Sequence, residues 1–286
     1  MSLLKLPEHC GIMLAGLLAV TMVLAPSSRA SPSFHMLRFR FVDTTRTAHF
    51  RNGRVVPRTL VTYVRIPAGR GPFPLVVFAH GYESTPGRYA RLLDTWARAG
   101  FVVAAPLFPL ENANAPGGSN ESDIVNEPGD MRFVITRLLR ISSLHISAAK
   151  IAVAGQSDGA ETAFAVAEES HYRDPRVRAA VVLSSAELAG GVPIAGPPLL
   201  ATQGTRDTTN PPRYTARLYA AAHRPKFLLT LVGAGHLAPY TSDNTYFSIV
   251  SLVTTAFLDH YLIGGSLDAV VAAARAPRLA ALTFSL

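Results

Sequence analysis

Gly155-Gln156-Ser157-Asp158-Gly159 is the stretch of this sequence whose residue types and spacing most directly suit chemistry. A serine hydroxyl is a poor nucleophile at neutral pH until a base takes its proton and an acid orients that base. Glycines on either side permit a turn sharp enough to lift the hydroxyl clear of its surroundings. Two later stretches offer the partners. Leu199-Leu-Ala-Thr-Gln-Gly-Thr-Arg-Asp207 is an apolar run ending in a loop with an aspartate, and Phe227-Leu-Leu-Thr-Leu-Val-Gly-Ala-Gly-His236 is one ending in a histidine. The order serine, acid, histidine predicts Ser157 as nucleophile, His236 as base and Asp207 as the orienting acid. Acyl transfer also needs donors for the oxyanion. The backbone N–H of Asp158 is one, and the N–H of Tyr82 in His80-Gly81-Tyr82-Glu83 is the other, since Gly81 lets that backbone turn inward. A carboxylate beside the nucleophile would repel the oxyanion. The side chain of Asp158 is therefore expected to turn outward, where it favours the positive end of a helix.

These residues need strands to hold them. Ile151 to Ala154 is a short buried run, and after Gly159 the apolar residues Ala160, Ala163, Phe164 and Ala167 take up helical spacing. Further strands are expected at 37–41, 60–66, 74–79, 101–105, 179–183, 199–202 and 227–232. Helices are expected at 88–99, 130–140, 214–222 and 246–261. Such alternation predicts an α/β fold, a mostly parallel central sheet with helices on both faces. The interval Ser184 to Pro198 is short and broken by Gly and Pro, so no large cap domain is expected. The segment 107–129, rich in Pro, Gly and Asn, reads as a polar, shallow rim.

The chain has 286 residues, 49% hydrophobic and 16% charged, enough for one large core. Residues 1–30 read as a signal peptide: Lys5 precedes an apolar run from Gly11 to Ala25, and Ser28-Arg29-Ala30 suits cleavage before Ser31. An uncleaved N-terminal membrane anchor is the alternative. Residues 31–286 form the catalytic domain on this reading. The sole cysteine, Cys10, would leave with the signal, so stability would rest on packing. The net charge of +8 is carried by arginine, densest from Arg38 to Arg70. It reads as a solvated face, not a nucleic-acid site, because no nucleic-acid module accompanies it.

No metal site is indicated, as His-Glu-x-x-His is absent and no histidines pair at ligand spacing. Gly233-Ala-Gly-His-Leu-Ala238 fits a dinucleotide fingerprint in letters, yet only helices are expected after it, so it is rejected. No cofactor is expected. The expected partner is a small-molecule or lipid-like ester, with no nucleic acid and no stable membrane insertion after signal removal expected. Oligomeric state is not encoded in any feature of the sequence.

The stretches "VVFAHGYES", "NEPGDMRFVITRLL", "VAGQSDGAETA", "GTRDTTNPP" and "LVGAGH" resemble the α/β-hydrolase superfamily. The likeness is to serine esterases of the dienelactone hydrolase, platelet-activating-factor acetylhydrolase and chlorophyllase-like group. Bacterial cutinases are also similar, including an aromatic residue after the oxyanion glycine, matched by Tyr82. The resemblance implies a secreted serine hydrolase of carboxylic esters with no cofactor. Gln156 and Asp158 depart from it, since cutinases commonly have His or Trp before the nucleophile and Met after it. The C-terminal disulfide often found there is absent too. Short to medium acyl chains are expected. A lipase, cutinase or polyester hydrolase acting on bulkier esters, or a peptidase or amidase using the same three residues, is the alternative; a non-catalytic binding protein on the same scaffold fits less well.

Overall fold

The computed structural model of the chain describes residues 33–187 and 196–286. The expected signal peptide and most of the expected Ser184–Pro198 connection lie outside the described residues.

Alternating burial is the rule that builds the sheet. In β3 (Phe73–Ala79), Val76 and Phe78 face one core cluster while Leu75, Val77 and Ala79 face a second on the opposite side. The same two-sided burial holds for β4 (Val102–Leu107), the second half of β5 (Ile146–Gln156), β6 (Val177–Leu183) and β7 (Leu199–Gly204), while β8 (Lys226–Leu231) buries Phe227, Leu229 and Leu231 on one face and leaves Lys226, Leu228 and Thr230 half-buried on the other. These strands read as nearly continuous apolar runs because both faces are covered. They pair in parallel, in the order β4-β3-β5-β6-β7-β8. β2 (Val55–Pro67) adds antiparallel to β4, the long β1 (Phe34–His49) adds antiparallel to β2, and β9 (Ala280–Ser285) adds antiparallel to β8.

Helices α1 (Ala90–Arg98), α6 (Thr245–Ile263) and α7 (Leu267–Ala273) cover one face. Helices α2 (Glu127–Leu139), α3 (Asp158–Glu168) and α4 (Pro212–Ala221) cover the other. A single turn, α5 (Ala238–Thr241), precedes α6. The apolar helix α6 is long enough to cross a bilayer, but it sets Val250, Val253 and Phe257 against the sheet as a core helix does. Each fully buried Leu or Phe contributes roughly 1.5–3 kcal/mol.

Four expectations need correction. The chain does not end in helices alone: β9 follows α7, though antiparallel to β8, so the dinucleotide motif still lacks its second parallel strand. Helix α2 starts at Glu127 rather than Asp130, because Pro128 sits in its first turn, where a missing N–H costs nothing.

The segment 107–129 is not a shallow polar rim. Phe108, Leu110, Glu111 and Asn112 are buried, and the segment ends in a 3-10 turn, Glu121–Asn126. The Asn112 amide ties it together by donating to the Phe108 and Pro109 carbonyls.

Nor are the arginines of this region uniformly solvated. Arg58 is 1% exposed and forks onto Asp123 (2.6 Å) and Asp130 (2.7 Å). Arg46 reaches Asp43 and Asp130, and Arg65 reaches Asp94. Arg58 therefore pins β2 to α2 and to the 3-10 turn, whose Glu121 lines the candidate site.

Candidate active site

The parallel strands end on one edge of the sheet, where open α/β sheets place their ligands. β5 ends at Gln156, and Ser157 follows with φ 59° and ψ −124°. A non-glycine residue at such a positive φ is strained and persists only where its surroundings enforce it. A Cβ on Gly155 would lie 1.8 Å from the Gly159 carbonyl oxygen, and one on Gly159 would lie 2.2 Å from the Ala79 carbonyl oxygen. Only glycine fits either position, so the two glycines let α3 start hard against β3 and β5.

The three side chains picked out by their order in the sequence meet here. His236 Nε2 is 3.1 Å from Ser157 Oγ, and His236 Nδ1 is 2.8 Å from Asp207 Oδ2. Nδ1–H donates to Asp207, which leaves the Nε2 lone pair facing the serine hydroxyl. Burial opposes ionisation of Asp207. Hydrogen bonds from His236, the Asn210 N–H and Gln203 outweigh it, and its carboxyl sits below the usual aspartate value.

Ser157 Oγ also accepts a hydrogen bond from Asn210 Nδ2 at 3.2 Å, and the same amide donates to the Ser184 carbonyl at 3.0 Å. Occupying an acceptor lobe of Oγ steers the hydroxyl hydrogen toward His236. Gln156 adds a second anchor: its Oε1 accepts from Tyr89 Oη at 2.7 Å, and its Nε2 donates to His236 Nε2 at 3.1 Å and to the His236 carbonyl at 3.3 Å. Gln156 thus competes with Ser157 for the imidazole lone pair while holding the ring in place. The sequence reading did not identify these contributions from Asn210, Gln156 and Tyr89. The one local hint was Asn210, three residues after the acid, at the spacing of an Asx-type turn.

Tyr82 lies in the turn after β3 and lines the same cavity as Ser157, and its N–H has no backbone partner among the described residues. The Asp158 N–H is the first of α3 and has no acceptor within the helix. The turn is held by His80, which is fully buried. Its Nδ1–H donates to the Gly81 carbonyl (2.9 Å), and its Nε2 accepts from the Phe108 N–H (3.1 Å). Burial pushes the His80 pKa down to about 4, keeping it the neutral acceptor that Phe108 needs.

The Asp158 side chain does not turn outward. It is 6% exposed, with Oδ1 3.5 Å from Ser157 Oγ. Helical side chains tilt toward the N-terminus, so the first residue of α3 leans over the turn ahead of it, which is the nucleophile. Burial and the charge of Glu121 raise its pKa to about 6, against the Ser157 hydroxyl and His236, which lower it. Behind it, burial raises the carboxyls of Glu111, to about 8, and of Glu127, and the Thr162 hydroxyl donates to Glu127 at 2.8 Å.

The cavity over Ser157 holds about 280 Å³, and most residues that line it are polar, with Leu237 the one aliphatic side chain. Such a volume suits a small substrate. No group of three or more His, Cys, Asp or Glu suited to a metal occurs among the described residues.

A family model described as Chlorophyllase matches residues 39–199 of this chain. Chlorophyllase-1, chloroplastic, of Citrus sinensis is 28% identical over 110 residues, a match spanning 38% of this chain and 32% of that relative. The solved structure of a ferulic acid esterase from Streptomyces cinnamoneus superposes with a TM-score of 0.71 at 21% identity, covering 92% of this chain and 98% of that one. That likeness shows a shared α/β-hydrolase fold, and no cap domain is evident among the described residues. With the family model covering more than half of its length, the chain belongs to the chlorophyllase family, in the α/β-hydrolase esterase group.

Proposed function

We propose that the protein hydrolyses carboxylic esters through an acyl-enzyme on Ser157. The observation that carries this reading is the continuous hydrogen-bond chain Ser157 Oγ, His236 Nε2, His236 Nδ1, Asp207 Oδ2. Ser157 Oγ attacks the ester carbonyl as His236 takes its proton. Asp207 keeps the imidazole in the right tautomer and stabilises its cation. The N–H groups of Tyr82 and Asp158 receive the oxyanion. His236 then returns the proton to the departing alcohol, and a water activated by His236 releases the acid and frees Ser157.

Short to medium acyl chains suit the small cavity. Only fifteen residues join Leu183 of β6 to Leu199 of β7, too few for a helical cap that would wall a long chain. Each buried methylene is worth about 0.8 kcal/mol, roughly fourfold in kcat/KM, until the cavity is filled. Across p-nitrophenyl esters of rising acyl length, kcat/KM should climb, then level off or fall by about eight carbons. A sharp gain on emulsified long-chain triglyceride would count against an open, capless site. The same proposal includes export with cleavage near Ala30/Ser31, motivated by the apolar run and the small residues after it. Mass spectrometry of protein from the native medium should find Ser31 at or near the N-terminus; recovery only from membranes, with Met1 intact, would support an anchor.

A further inference from the structure

The carboxyl of Asp158 has no task in the steps above, yet it is buried beside the attacking atom. Oδ1 lies 3.5 Å from Ser157 Oγ, while Oδ2 is buried with no hydrogen-bond partner in the protein. An unpaired buried acceptor is costly, and most such groups in folded proteins have a partner. Asp158 and Glu121 both line the cavity over Ser157, so the Asp158 carboxyl borders the space a substrate would fill.

The other groups nearby do not supply that donor. Tyr89 gives its hydroxyl hydrogen to Gln156. Glu111, behind Asp158, has no hydrogen-bond partner on either carboxyl oxygen. His236 gives its Nδ1 proton to Asp207 and turns its Nε2 lone pair to Ser157. Arg88 lines the cavity but is exposed and makes no ion pair among the described residues, so solvent screens its charge. Glu121 is exposed as well, so the charge that acts at short range on the nucleophile is that of the buried Asp158, with Glu121 felt at it through solvent.

We propose that this acidic wall selects the substrate: the site prefers esters carrying a protonated amine within a few bonds of the scissile carbonyl, with Asp158 as the acceptor and Glu121 adding attraction. The inference rests on the proposed attack of Ser157 on an ester. A hydrogen bond to an ionised partner gains more than a neutral one, and an ammonium also relieves the repulsion between the two carboxylates. Ester carboxylates meet the opposite field and are disfavoured.

The test compares kcat/KM for matched esters, so that a general change in rate cancels within each pair. β-Alanine ethyl ester against ethyl butyrate places the ammonium on the acyl side. The aminopropyl and butyl esters of butyric acid place it on the leaving side. At about pH 8, where Asp158 is ionised and the amines are largely protonated, the amine member of at least one pair should be preferred by about tenfold or more. That preference should fall to near unity in Asp158→Asn and be reduced in Glu121→Gln, which leaves Asp158 in place. It should also fade as pH drops through about 6, where Asp158 gains a proton. Ethyl butyrate turnover without any amine preference would overturn the inference, as would a preference that survives Asp158→Asn or a preference for ethyl hydrogen succinate over ethyl butyrate. All three leave ester hydrolysis standing. Failure to hydrolyse any of these esters would remove the proposed function, and this inference with it.

Discussion

Asn210→Ala separates orientation of the nucleophile from the rest of the site. The substitution removes the Nδ2 bonds to Ser157 Oγ (3.2 Å) and to the Ser184 carbonyl (3.0 Å). It spares the Asn210 backbone N–H, which donates to Asp207 Oδ1 at 2.8 Å, so the acid keeps that contact. A neutral hydrogen bond is worth about 0.5–1.5 kcal/mol net, so losing the hold on Oγ should lower kcat about two- to tenfold, with KM little changed. The abandoned Ser184 carbonyl adds about 1 kcal/mol of lost stability. At about 2–4 °C per kcal/mol for a domain of this size, Tm should fall by several degrees. Steady-state rates on p-nitrophenyl butyrate and differential scanning calorimetry measure the two effects. A lowered Tm with unchanged kcat would refute the orienting role and leave Asn210 a strut between β6 and the loop after β7.

Three more outcomes follow from the same geometry. Gly155→Ala forces a Cβ toward a carbonyl oxygen 1.8 Å away, so the elbow must shift; kcat should drop about a hundredfold, and wild-type activity with wild-type Tm would contradict the packing argument. Arg58→Met leaves Asp123 with only the Asn126 amide and Asp130 with only Arg46, and urea unfolding should show a loss of about 3–5 kcal/mol; a loss under about 1 kcal/mol would mean the network holds little. His80 is neutral when folded down to about pH 4 but takes a proton near its ordinary 6.5 when unfolded, so its contribution is present above 6.5 and is lost as pH falls toward 4. Wild-type stability should therefore decline more steeply than that of His80→Gln across this window, by up to about 3 kcal/mol; parallel pH profiles would exclude that role.

Local pattern carried much of this fold. Short apolar runs marked the parallel strands and 3.6-residue periods most helices, and turn chemistry at strand ends pointed to Ser157, Asp207 and His236, which the structure brings within hydrogen-bond reach. What stayed hidden depends on distant pairs. Gln156 and His236 are eighty positions apart, and Arg58 and Asp130 seventy-two, so no window of sequence shows that they meet. β9 was missed because Ala280-Ala-Leu-Thr-Phe-Ser285 is short, half-buried and Ala-rich, and only pairing with β8 makes it a strand. The direction of Asp158 was misjudged for a different reason. Charge repulsion argued for turning out, but the tilt of side chains at the start of a helix decided the matter.

The central claim is that Ser157 is activated by His236 to carry an acyl group, and covalent trapping tests it most directly. The folded chain should react with a fluorophosphonate, gain the mass of one adduct and map it to Ser157. Ser157→Ala, with an unchanged circular dichroism spectrum, should gain none and lose ester hydrolysis. A folded Ser157→Ala variant that still hydrolyses esters at the wild-type rate, or an adduct on another residue, would contradict the account.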